Sequence, residues 1–298
     1  MSNFDDIFSG QGEKPRWNDQ PFDKEAWAAK KQEERKELYA LADSTATKVS
    51  KDGDKFRQYL DVQSRFSRYT PTNALLILAQ MPEATQLKDF DGWKEAGVSV
   101  QRKPRSVKIL EPGKEYDRED GTRGTSFEVK RVFDVSQTRG RVRSAPAVKL
   151  DDRVLLKALI HRTPVPIQTV DSLPNNMGAV YDHNQQVIFV CRGMGAEDIF
   201  RSVSKELAHA ELAGMRQDYN RSDAAFAAYS ASYLLCKKYG VDVTDYNFSR
   251  LPASFRECNP QQVRETLTEI RDTANQISTR MYRALEQNRT PKSKEQER

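Results

Sequence analysis

The feature that most constrains the fold is a change of residue pattern along the chain. Residues 23–50 and 54–80 carry strong helix formers and apolar side chains at roughly helical spacing. Residues 98–110 and 126–135 then alternate apolar and polar side chains, as half-buried strands do. The later segments predict helices at 151–162, 196–214, 223–240 and 261–285, a strand at 165–170 and a hairpin at 178–190. We therefore expect an α+β protein in which N-terminal helices and a small antiparallel sheet precede a mainly helical unit with a small β-sheet.

Composition narrows the class of protein. The 298 residues suffice for one or two domains, and no apolar run approaches the roughly 20 residues of a membrane span. The first residues lack the basic and then apolar pattern of a secretion signal. The three cysteines are scattered, which excludes a disulfide framework and favours the reducing cytoplasm. We expect a cytoplasmic protein with no membrane partner.

The positive charge is concentrated in one segment. Residues 101–150 contain 13 Lys and Arg against 7 Asp and Glu, a net charge of +6. The rest of the chain has 35 basic and 36 acidic residues, so it accounts for only −1 of the total of +5. A localised excess of this kind is typical of a surface that binds a phosphate backbone, and equally of a solvated basic surface.

Aromatic residues are interleaved with these cations between residues 56 and 133. Single-stranded nucleic acid is commonly held by a basic groove that follows the phosphates and by aromatic faces that stack on the bases. Aromatic residues also form the cores of most domains, so each of them could be either a stacking partner or a packing residue.

Several of these residues form a pattern similar to a known family. Tyr69 and Asn73 lie at a predicted helix start, Gln80 lies at its end, and Trp93 precedes a turn at Gly97. With the later segments 109–112 and 133–138, this pattern resembles the N-terminal single-stranded-DNA-binding domain of ArdC-type, or LtrC-like, antirestriction proteins of conjugative elements. The resemblance spans about residues 50–140.

The resemblance implies binding of single-stranded DNA without strong sequence preference. Tyr69 and Trp93 are the candidates for stacking on bases, while Asn73 and Gln80 either bond to bases or brace the fold. The predicted phosphate contacts are the six cations Arg102, Lys103, Arg105, Lys108, Lys130 and Arg131.

The second half contains an altered metallopeptidase motif. Many zinc hydrolases carry HExxH on a helix, where the two histidines bind the metal and the glutamate activates water. Here the corresponding residues run from Lys205 through Glu206 to His209, so the first histidine is a lysine. Residues 150–285 resemble the zincin-like domain of ArdC-type proteins and of the ImmA/IrrE peptidases. Alignment with that family places Tyr229 where its acidic ligand stands.

These departures predict that the zincin-like unit has lost its metal and is inactive. A protonated lysine offers no lone pair and repels a divalent cation, and His209 would be the remnant ligand. His161 or His183 could in principle join it, and Glu206 would be the catalytic residue of any activity that remains. We therefore expect no cofactor, with zinc disfavoured. We also expect the Lys205 ammonium to stand where the metal would be and to pair with Glu206.

These inferences divide the chain at residues 1–40 (extension), 41–147 (DNA-binding unit), 148–286 (zincin-like unit) and 287–298 (disordered tail). The predicted function is that of a sequence-nonspecific single-stranded DNA-binding protein of a mobile genetic element. The family implies protection of incoming DNA from host restriction, with a host protein as a further partner. Two alternatives stay open: an active metallopeptidase with a nonstandard zinc site, and a protein-interaction module that does not bind DNA.

Overall fold

The computed structural model describes residues 23–117, 121–140 and 150–287. Three stretches lie wholly or mostly outside these ranges: residues 1–22, whose polar sequence predicts disorder; residues 139–149, whose sequence predicts a linker; and the predicted tail at 287–298. Within them the helices are α1 (Lys24–Lys51), α2 (Gly53–Arg65), α3 (Pro71–Gln80), α4 (Phe90–Glu95), α5 (Asp152–Leu159), α6 (Ala196–Met215), α7 (Arg221–Tyr239), α8 (Ala253–Arg256) and α9 (Pro260–Gln287). The strands are β1 (Leu87–Lys88), β2 (Ser99–Val100), β3 (Val107–Asp117), β4 (Arg123–Asp134), β5 (Thr138–Arg139), β6 (Ile167–Val170), β7 (Ala179–Asp182) and β8 (Val187–Cys191).

The strands of the described residues form three small sheets, which confirm the predicted α+β class. An antiparallel sheet has the order β1-β4-β3, and the short strands β2 and β5 pair separately. In the second half β8 is central, because it pairs with β6 in parallel and with β7 as the predicted antiparallel hairpin.

Local sequence signals explain the helix boundaries. Thr70 caps α3 by accepting a hydrogen bond from the backbone N–H of Asn73, and Pro71 occupies the first turn, where its missing N–H costs nothing. Helix α7 ends at Gly240, whose φ of 72° is left-handed. Asp52 separates α1 from α2 and caps α2 through its carboxylate.

The two halves share one hydrophobic core. Phe56 of α2 lies 5.0 Å from Phe226 of α7 and 5.2 Å from Phe248, measured between ring centroids. The start of α2 approaches the Phe248 carbonyl so closely that a Cβ on Gly53 would lie 2.0 Å from its oxygen. Helix α1 also runs across the predicted boundary at residues 40 and 41. The division of the chain into four parts therefore stays a prediction. In the structure, the side chains of the two halves pack directly against each other.

Candidate functional site

Three of the six predicted phosphate contacts lie in one exposed loop. This basic loop, residues 101–106, connects β2 to β3 and carries Arg102, Lys103 and Arg105. Its two ends are fixed from the 135–139 segment: the Gln101 N–H donates to the Gln137 carbonyl at 2.9 Å, and the Gln137 amide donates to the Arg105 carbonyl at 2.8 Å. The backbone of the loop is therefore fixed at both ends, while its three cationic side chains are exposed.

The cations of the basic loop have no counter-ion among the described residues. Arg102, Lys103 and Arg105 form no ion pair there within 4.0 Å. Pairing of β2 with β5 places exposed Arg139 opposite Ser99, on the strand that leads into the loop. Arg139 was not among the predicted contacts, because the sequence assigns it to a linker. We call Arg139 and the three loop cations the basic patch.

The other predicted contacts are already paired with carboxylates. Glu34 of α1 receives Lys108 at 2.9 Å and Arg131 at 3.0 Å, which ties α1 to the face of the β3-β4 sheet. The hydrogen bond from Lys108 is the main cause that holds the pKa of Glu34 below its usual value. A phosphate would have to displace Glu34 to reach these cations, so the structure disfavours Lys108 and Arg131 as primary contacts.

Lys130 is paired in the same way, and Tyr69 lies near it. The Lys130 ammonium is 2.9 Å from the Asp89 carboxylate and 3.0 Å from that of Glu111. Tyr69 is half-buried and stacked on Phe66 at 5.7 Å between ring centroids. Burial, with a smaller contribution from Glu111, raises the pKa of the Tyr69 phenol. Tyr69 therefore keeps a partly exposed ring, whereas Lys130 is neutralised locally.

Trp93 does not occupy a position from which it could stack on a base. Its side chain is 0% exposed, and its indole N–H donates to the Phe133 carbonyl at 2.8 Å. It packs with Val98 and Phe133 in a small core of its own. The prediction of a stacking role for Trp93 is corrected to a packing role, because β4 covers the ring. The exposed aromatic residue beside this core is Phe90, 57% exposed and edge-on to Phe133.

Asn73 and Gln80 brace the open edge of β3. The Asn73 amide donates to the Leu110 carbonyl and accepts from the Leu110 N–H, both at 2.8 Å. Gln80, two helical turns later, makes the same pair of bonds with Lys108, both at 2.9 Å. Residues two apart on an edge strand direct their unpaired backbone groups to the same side, so the two amides replace a missing neighbouring strand. Of the two predicted roles, the structure favours bracing over base contact.

In the second half, Glu206 is buried beneath an arginine. Its carboxylate is 0% exposed and accepts the Tyr181 backbone N–H at 2.8 Å. The two terminal nitrogens of Arg221 lie 2.9 and 2.8 Å from its two oxygens, a bidentate contact. The Lys205 ammonium is farther away, 3.5 Å from one oxygen. The expected Lys205–Glu206 pair is thus present but secondary, and Arg221 is the main counter-ion.

His209 is held neutral next to this pair. It is 2% exposed, and its Nδ1 lies 2.9 Å from the Tyr219 hydroxyl. Burial lowers the pKa of His209 to about 4. His183 lies in the hairpin turn, as predicted, with its ring 4.9 Å from that of Tyr219. His161 follows the end of α5, also as predicted. We call Lys205, Glu206, His209, Tyr219 and Arg221 the Glu206 centre.

The donor set of the Glu206 centre does not fit a divalent metal ion. Two cationic side chains face the carboxylate, and cations offer no lone pair. Tyr229, at the position expected for the acidic ligand, instead accepts a hydrogen bond from the Asn247 N–H and packs on Tyr246. Across residues 23–117, 121–140 and 150–287, no group of three or more His, Cys, Asp or Glu side chains is placed to hold a metal.

No described helix is long and apolar enough to cross a membrane. Comparison with family models finds no match. An uncharacterized Bacillus anthracis protein, pXO2-81, is 22% identical over 330 aligned positions, covering 88% of this chain. The alignment covers 55% of that relative, so the chain spans about half of its length.

The fold matches a solved structure. The crystal structure of the metal-free antirestriction protein ArdC from the R388 plasmid superposes with a TM-score of 0.50 and 16% identity, covering 72% of this chain and 86% of that one. The Mn(II)-bound structure of the same protein gives a TM-score of 0.49 at 16% identity, over 75% of this chain and 97% of that chain.

Proposed function

From the premise that this chain has the fold of the ArdC antirestriction protein, we propose that it binds single-stranded DNA without strong sequence preference through its basic patch. The biological role that we propose is protection of incoming DNA from host restriction by occupancy. The protein would coat the entering single strand. The similarity of fold supports this proposal only in general terms. The cations of the basic patch are the groups that would bind the phosphates.

The observation that carries the proposal is the unneutralised charge of the basic patch. Of the six predicted phosphate contacts, the three in the basic loop are exposed and have no ion-pair partner among the described side chains. Cations that hold no internal carboxylate can bind phosphates directly and release the counter-ions condensed on the nucleic acid, which is the main source of nonspecific affinity.

Two accessible aromatic residues of the first half suit a strand whose bases are unpaired. Phe90 is exposed beside the small Trp93 core, and Tyr69 keeps part of its ring accessible. Aromatic faces stack on any base, so such contacts add affinity without selecting a sequence. We therefore assign stacking to Phe90 and Tyr69, with Phe90 taking the role first expected of Trp93.

Zinc-dependent hydrolysis has no support in the Glu206 centre. A water-activating glutamate must have a free carboxylate oxygen near a bound metal. Here the Arg221 fork contacts both oxygens of Glu206, and one of them also accepts the Tyr181 N–H. Our proposal is therefore a binding protein, with no hydrolytic step.

The division of the six cations into free and paired groups gives a sharp test. We expect the triple variant Arg102→Gln, Lys103→Gln, Arg105→Gln to weaken binding of oligo-dT at low salt by at least about tenfold, because three phosphate contacts are lost. The matched triple Lys108→Gln, Lys130→Gln, Arg131→Gln removes the same charge but should change the Kd by less than about threefold. Fluorescence anisotropy with labelled oligo-dT measures both.

Circular dichroism spectra and unfolding curves of both triple variants provide the control for folding. Equal losses in the two variants would show that only total charge matters. An unchanged Kd in the loop variant would remove the basic loop from the interface, and with it the observation on which the proposal depends.

A further inference from the structure

A cleft of about 620 Å³ opens where the end of α2, the end of α7 and α9 meet. It shares no residue with the basic patch or the Glu206 centre. The residues that bear on its chemistry are Arg68, Lys238, Tyr239, Asn275, Ser278 and Tyr282. Because both halves of the chain contribute walls, the cleft is a product of the shared core.

Two cations line the cleft without a counter-ion in the described ranges. Arg68 is exposed and forms no ion pair there, and Lys238 forms none with any described carboxylate. Arg271, a third cation of the lining, is already paired with Asp272 at 2.6 Å. The charges of Arg68 and Lys238 therefore remain available to a ligand.

Lys238 is held in place by hydroxyl groups. Its ammonium donates to the Ser278 hydroxyl at 2.7 Å, and the Tyr239 hydroxyl lies 3.0 Å from the same oxygen. The walls of the cleft, followed by the nearby charge of Arg68, lower the pKa of Lys238. Its side chain is nevertheless open to solvent. A cation enclosed by protein yet accessible, and next to a second cation, is stabilised when an anion enters.

The remaining lining adds a polar anchor and an aromatic wall. The Asn275 amide donates to the Ser67 carbonyl at 3.0 Å, which fixes α9 against the segment that carries Arg68. Tyr282 is 58% exposed and lines the cleft together with Leu285. An aromatic and apolar wall next to two cations matches a ligand that has both a phosphate and a planar base.

We propose that this cleft binds a nucleotide, with its phosphate between Arg68 and Lys238 and its base against Tyr282. The ligand is either a free nucleotide or one nucleotide of a bound strand, since both present the same phosphate and base. This site goes beyond the proposed function, because it uses none of the residues assigned to the basic patch.

The test uses the full chain and titrates thymidine monophosphate, inorganic phosphate and oligo-dT by calorimetry. We expect Arg68→Gln and Lys238→Gln each to raise the Kd for thymidine monophosphate about tenfold. Arg256→Gln, an exposed cation on α8, is the matched control and should leave it unchanged. Tyr282→Ala should weaken binding of the nucleotide but leave binding of inorganic phosphate as it is.

The titrations also distinguish the two sources of the phosphate. If the two cleft variants weaken oligo-dT and thymidine monophosphate does not bind, the site holds a nucleotide of the strand. If the variants change the Kd of none of the three probes, the proposal is overturned. That result would leave the basic patch untouched, because its test rests on the separate triple variants.

Discussion

Replacing Arg221 with methionine is expected to lower the free energy of unfolding by about 3 kcal/mol, because it leaves a buried carboxylate without its main counter-ion. Glu206 is 0% exposed, and methionine fills much of the space of the arginine side chain without offering a donor to the carboxylate. The Tyr181 N–H would remain as a hydrogen-bond donor, and Lys205 would remain at 3.5 Å. Urea unfolding, followed by circular dichroism, measures the change.

Two further variants isolate the ion pair from general damage. Lys205→Met should cost less than about 1 kcal/mol, because its ammonium is farther from Glu206 and its side chain is 37% exposed. Adding Glu206→Gln to Arg221→Met should recover at least about half of the loss, since a neutral amide needs no counter-ion. Equal costs for Lys205→Met and Arg221→Met would contradict the assignment of Arg221 as the main cation.

Stability should fall by about 2 kcal/mol between pH 7 and pH 5 on account of His209 alone. Burial lowers the pKa of His209 to about 4 in the folded chain, below the usual value of 6.5. The unfolded chain therefore binds a proton that the folded chain rejects. The resulting loss begins near pH 6.5, grows as the pH falls, and is complete below about pH 4.

The variant His209→Gln separates this contribution from those of other titrating groups. Glutamine retains a hydrogen-bonding group for the Tyr219 hydroxyl but does not titrate. Urea unfolding at pH 7 and pH 5 gives the loss of unfolding free energy for each protein. The loss should be larger with His209 than with glutamine, and the difference is the contribution of His209. Identical pH profiles for the two proteins would show that His209 is not kept neutral by burial.

Local patterns in the sequence correctly predict much of the fold. The Thr70-Pro71 pair marks the start of α3, Gly240 marks the end of α7, and alternation at 126–135 marks β4. These features depend on residues within a few positions of each other, which is why a single sequence reveals them. The strand predicted at 98–110 is wrong in its middle, because the structure divides it into β2, the basic loop and the start of β3.

The side-chain environment of the site depends on distant partners and could not be predicted in the same way. Arg131 is neutralised by Glu34, 97 residues earlier, and Trp93 is covered by Phe133, 40 residues later. Neither contact leaves a spacing signal. The six cations therefore looked equivalent in the sequence, although three of them hold carboxylates in the fold.

The sequence does not identify Arg221 as the partner of Glu206, for a related reason. The change of a motif histidine to Lys205 predicts a positive charge next to Glu206, and the structure has one there at 3.5 Å. The stronger partner begins the following helix, 15 residues beyond Glu206, and reaches back through its long side chain. A buried acid next to a lost metal ligand does predict a replacing cation, but only the packing of α6 on α7 identifies which one.

The central claim, that the chain binds single-stranded DNA through an electrostatic surface, is tested most directly by salt-titrated binding of the full chain to oligo-dT and to a duplex of the same length. We expect tighter binding to oligo-dT, with log affinity falling against log salt at a slope of about −2 to −3, as three or four phosphate contacts on a single strand require. A Kd for oligo-dT that does not depend on salt, or no binding at low salt, would contradict the account.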